Sequence, residues 1–135
     1  MKSAMIAAFS LMVTVAFFAP QASAFKDGTL TCQFEVIAKK NFPTVEKLAP
    51  FTINISEPFS DAFQAPSLNN RLLLTYSPGY AAPRDVNLFN VTLKYDGANA
   101  GADVPAVANG EYTFKISRDD SDLVGAFLVC KAALN

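Results

Sequence analysis

The sequence predicts an all-β chain, a single small antiparallel β-sandwich of six to seven strands with one disulfide, preceded by a signal peptide. Three observations predict it. Apolar and polar residues alternate with period two in stretch after stretch, which is the signature of half-buried strands. Turn residues punctuate those stretches, and no heptad, long amphipathic helix or internal repeat interrupts them. Two cysteines, Cys32 and Cys130, stand near the two ends of the alternating region.

The chain opens on an address rather than on structure. Lys2 supplies a positive charge, residues 4–19 (AMIAAFSLMVTVAFFA) are apolar, Pro20 ends the run, and Ala22-Ser23-Ala24 is a small-x-small cleavage site. The run of about 16 residues is short of the roughly 20 that span a bilayer. Cleavage after Ala24 is therefore expected, leaving residues 25–135 as one domain with no membrane insertion.

The strands follow in order. TLTCQFEV places Leu30, Cys32, Phe34 and Val36 on one face and Thr29, Thr31, Gln33 and Glu35 on the other. FTINIS repeats the pattern with Phe51, Ile53 and Ile55 inward. RLLLTY and LVGAFLVC are apolar on both faces, as central or covered strands are. VNLFNVTLKY aligns Phe89, Val91, Leu93 and Tyr95, and EYTFKIS aligns Tyr112, Phe114 and Ile116. Between them, SPGY offers Pro78 and Gly79 for a type II turn. Asp96-Gly97 and Asn109-Gly110 are further turn pairs. At most TVEKL or SDAFQ forms a single helical turn, the second with Ser60 able to cap it.

VPAVANGEYTFKI resembles the corner of immunoglobulin-like sandwiches, where a glycine and then a tyrosine precede the penultimate strand. The resemblance implies an immunoglobulin-like or related Greek-key sandwich, with the Tyr112 hydroxyl bonded to backbone near residues 104–107. The cysteines depart from that pattern: they lie on the first and last strands, and there is no tryptophan.

Export decides the chemistry of the cysteines. Two cysteines in an oxidising compartment pair, whereas a zinc site needs three or four ligands and the chain has no histidine. Cys32 lies among Leu30, Phe34 and Val36 with no neighbouring cation to activate a thiolate. The lack of histidine also removes Ser-His and Cys-His nucleophile pairs. With 11 basic and 12 acidic residues and no basic cluster beyond Lys39-Lys40, the chain offers no surface for tracking phosphates, so nucleic acid is not an expected partner. No enzyme activity and no cofactor are expected.

Four groups of residues are candidate sites. Asp96, Asp103, Asp119, Asp120 and Asp122 lie in two acidic stretches and are weak calcium candidates beside their ordinary reading as turns. Asn54 and Asn90 sit in N-x-Ser/Thr patterns on outward faces. Phe59, Phe63, Tyr80 and Arg84 lie in two long proline-bearing connections, and could plug the end of the sandwich or form an aromatic contact surface. The disulfide pair is the fourth. Together these features point to a secreted or periplasmic non-catalytic binding protein. It would act through aromatic and proline loops at the end or edge of the sandwich, on a protein such as a hydrolase, a host-surface molecule or an envelope neighbour. The alternatives are a structural subunit of an extracellular assembly and a small carbohydrate-binding module.

Overall fold

The computed structural model describes residues 27–81, 86–118 and 120–135. The expected signal segment, Arg84 and Asp119 lie outside the described residues. Nine strands form two antiparallel sheets: β1 (Gly28–Ala38), β2 (Glu46–Lys47), β3 (Phe51–Asn54), β4 (Phe59–Phe63), β5 (Leu72–Ala81), β6 (Val86–Tyr95), β7 (Ala98–Pro105), β8 (Glu111–Ile116) and β9 (Leu123–Leu134). The first sheet has the order β2-β1-β9-β8, with β3 also paired to β1; the second is β4-β5-β6-β7.

β1 is the spine of the first sheet because its inner row is continuously apolar. Leu30, Cys32, Phe34, Val36 and Ala38 are all buried. They face a second-sheet row of Leu72, Leu74 and Tyr76 on β5 and Phe89, Val91, Leu93 and Tyr95 on β6, also buried. Burial of such side chains contributes about 1.5–3 kcal/mol each relative to exposure. β9 lies antiparallel along the whole of β1, and Cys32 is directly opposite Cys130 in that register. The two form a disulfide with their Cα atoms 4.1 Å apart, and both are buried. The strands nearest the chain ends are thus stapled side by side, as the sandwich reading expects.

The expected corner is present. The Tyr112 hydroxyl accepts a hydrogen bond from the Val107 N–H at 2.7 Å and reaches the Pro105 carbonyl at 3.2 Å. Gly110 is required there, since a Cβ would fall 2.8 Å from the Tyr112 oxygen. Strand order departs from the antibody pattern, whose sheets mix early and late strands. Here the second sheet is one uninterrupted meander from β4 to β7.

Several local expectations are corrected. Among the described residues the strands number nine rather than six or seven, because β2, β4 and β7 join those read from the sequence. SDAFQ is not a helical turn: Ser60 pairs with Thr75 in β4, and Phe59 and Phe63 face inward where the sheet needs cover. TVEKL contains β2, and the short helical element is instead a 3-10 turn at Lys39–Asn41. SPGY is no turn but part of β5, with Pro78 opposite Phe89. Asp96-Gly97 does turn the chain, with φ of 48° and 88°. RLLLTY is buried on one face alone, leaving Leu73 44% exposed.

Among the described residues no helix is long and apolar enough to cross a membrane. The buried disulfide fits an extracellular or periplasmic setting.

Candidate functional site

The aromatic residues of the two proline-bearing connections do not form one patch. Phe59 and Phe63 are half-buried at the β3–β4 side of the sandwich, in a stack with Phe34 and Phe51. Ring centroids lie 5.7 Å apart for Phe51–Phe59, 4.7 Å for Phe51–Phe63 and 5.0 Å for Phe34–Phe63. These rings bridge the two sheets. Tyr80 stands elsewhere: it lies on β5 four residues past Tyr76, the partner of Phe59, or roughly 13 Å further along the strand.

That extension of β5 pairs with β6 from Ala81↔Val86 inward, so β5 and β6 project as a hairpin beyond the end of β4. Tyr80 is 56% exposed on it, and Pro78 is exposed beside it. At the hairpin base is a recess of about 220 Å³ lined by Ile55, Tyr76, Pro78, Leu88 and Phe89, with Ser56 and Asn87 as its polar side. A cavity near 150 Å³ already admits a benzene ring, so this one has room for a single large side chain. Its floor is fixed. Tyr76 donates from its hydroxyl to the Ile55 carbonyl at 2.6 Å, and burial pushes that phenol up to about 12.

The opposite end of the sandwich is closed by the segment between β4 and β5. Ala65, Ser67 and Leu68 are buried there, and Gln64 Nε2 donates to the carbonyls of Ala65 (3.0 Å) and Leu68 (2.9 Å). Asp122 pins the segment in place. It accepts from the Asn69 N–H at 2.7 Å and the Tyr95 hydroxyl at 2.5 Å. Burial pushes the Asp122 carboxyl up, but the bonds from Tyr95, Asn69 and its own N–H, with Lys40 nearby, outweigh it and hold the group below its ordinary 3.8. Tyr95 is pushed up, first by burial and then by Asp122.

A carboxylate with a depressed native pKa adds stability above its unfolded value and loses it as pH falls through the native one. Wild type and Asp122→Asn should therefore differ most near neutrality, and their unfolding midpoints in urea should converge as pH drops below about 4. A gap that stays constant down to the acid limit would contradict this assignment.

The acidic stretches are occupied by protein contacts. Arg118 pairs with Asp120 at 2.9 Å and lies 4.0 Å from Asp96, donating also to the Asp96 carbonyl. Asp103 is at the far end of β7, bonded by the Asn90 amide. Among the described residues no three acidic, histidine or cysteine groups are placed to hold a metal ion. Asn54 is exposed, its side-chain oxygen accepting from the Ser56 N–H and hydroxyl.

Sequence reasoning did not single out Phe42, which is 64% exposed on the segment between the 3-10 turn and β2, with Val45 nearby in sequence at 46%. The available signal was a phenylalanine outside any alternating row, just before Pro43. No protein-family model, curated protein or solved structure matches the chain, so the functional reading rests on its own residues.

Proposed function

We propose that this chain is a secreted or periplasmic binding protein without catalysis, which contacts a protein partner through the projecting β5–β6 hairpin. The observation that carries this reading is Tyr80, an aromatic side chain more than half exposed on the same strand whose Pro78 and Gly79 line a recess of about 220 Å³ with both apolar and polar walls. Tyrosine is enriched at the centres of protein contacts because it brings large area with few rotatable bonds. Pro78 next to it restricts the backbone, so less entropy is lost on association. The apolar run before Ala22-Ser23-Ala24 and the disulfide support export to an oxidising compartment.

Truncation separates contact from core. Tyr80→Ala should melt within a degree or two of wild type, since surface substitutions change stability by about 0.5 kcal/mol or less, and should lose the protein that immobilised wild type retains from its native fluid. Phe63→Ala should lower the melting temperature. Retention of the partner by Tyr80→Ala at the wild-type level would overturn the assignment.

A further inference from the structure

Sheet edges are exposed templates for further strands, and most edges of this sandwich are blunted. β4 has five residues and carries Asp61 in its inward row between Phe59 and Phe63. β8 carries Glu111 and Lys115. β7 is different. It runs for eight residues, ANAGADVP, with Asp103 as its single charge, proline only at its last position and no lysine or arginine, and its inward row is Ala98, Ala100, Ala102 and Val104. Those small side chains leave a recess of about 160 Å³ toward β8, lined by Val91, Ala100, Gly101, Ala102, Thr113, Phe114 and Lys115.

The register fixes which backbone groups of β7 are spare. Opposed residues of an antiparallel pair alternate between bonded and non-bonded. The two-residue turn Asp96-Gly97 closes on Tyr95↔Ala98, the bonded pair of such a hairpin. Counting along, Leu93↔Ala100, Val91↔Ala102 and Phe89↔Val104 are bonded. Asn99, Gly101 and Asp103 therefore direct their N–H and C=O groups away from β6. Pro105 falls in the same non-bonded class, where its missing N–H is harmless, and its carbonyl is met by Tyr112.

We infer that β7 pairs with β7 of a second copy of this chain about a two-fold axis at Gly101. An axis there sets 101 opposite 101 and 99 opposite 103. Every spare backbone group of these three residues then meets its complement. The contact is isologous, as a two-fold requires. Side chains agree. On the outer face the Asn99 amide meets the partner's Asp103, a carboxylate that already accepts from Asn90 in its own chain. Lys94 flanks Asn99 from β6, so the carboxylate faces positive rather than negative charge. On the inner face alanine meets alanine or valine, and the partner strand covers the apolar floor of Val91 and Phe114. This edge is distinct from the Tyr80 hairpin, and the pairing does not depend on what that hairpin binds.

A single strand pair is a small interface of the transient class, so the dimer forms reversibly with concentration. Sedimentation equilibrium across micromolar to millimolar protein should show it. Gly101→Pro removes an N–H that the fold leaves unused, so this variant should melt like wild type and remain monomeric. Asn99→Asp sets carboxylates opposite each other and should weaken the dimer about tenfold or more, while Asn99→Asp with Asp103→Asn should restore it. Raising wild-type concentration should slow amide exchange at Asn99, Gly101 and Asp103 and leave Ala100 and Ala102 unchanged. Wild type that stays monomeric throughout, or a dimer that persists in folded Gly101→Pro, would overturn the inference.

Discussion

With Cys32 and Cys130 both replaced by serine, the domain should lose roughly 2–5 kcal/mol of stability, the range for small secreted domains. At this chain length that corresponds to a melting temperature roughly 10–20 °C lower. Two terms combine. The bond closes a loop of 98 residues in the unfolded chain, worth about 4–5 kcal/mol in the loop-entropy model. The serines also bring two hydroxyls into a row between Leu30, Phe34, Leu128 and Ala132, all buried. The fold should survive, since β1 and β9 remain paired from Gly28↔Leu134 to Ala38↔Leu123. Urea titration of the double variant and of the reduced wild type reads both terms. A loss below about 1 kcal/mol would mean that the staple hardly constrains the unfolded chain.

Phe34→Ala should lower stability by about 3–5 kcal/mol, the cost of a fully buried phenylalanine. Phe34 has no exposed surface and its ring touches Phe51 and Phe63, with centroids 6.3 and 5.0 Å away. Its removal opens a cavity under the β3–β4 side, where β3 and β4 cross from one sheet to the other. Little can collapse into it, because Phe51 and Phe63 are already held against each other at 4.7 Å. A loss near that of Tyr80→Ala would contradict the placement of this stack as the bridge between the sheets.

The strands with large alternating side chains were legible in the sequence. β1, β3, β6 and β8 announce their inward rows, β5 and β9 show only as apolar runs with no face singled out, and the cysteines announce their pairing once export is read. What escaped did so for physical reasons. β7 is inward-apolar only through three alanines and a valine, and its Gly101 and Asp103 carry turn chemistry, so the alternation is too weak to see. Phe59 and Phe63 are four residues apart, a spacing that suits one face of a helix and one row of a strand equally. Pro78 and Gly79 suggest a turn, yet β4 stops opposite Tyr76, so β5 is itself an edge from there on and tolerates proline. Of the aromatic candidates, Tyr80 was legible as a residue in stiff surroundings. That Phe59 and Phe63 turn inward depends on their cross-strand partners, which local sequence does not encode.

The most direct test of the central claim is site-specific photo-crosslinking in the protein's native fluid. A photoreactive phenylalanine analogue is placed in turn at Tyr80, at Phe42 on the opposite end, and at Thr75 on the exposed face of the second sheet. Each variant is checked for a wild-type melting curve before irradiation. A discrete protein adduct is expected from position 80 and none from positions 42 and 75. An adduct from 42 or 75 with none from 80 would contradict the claim.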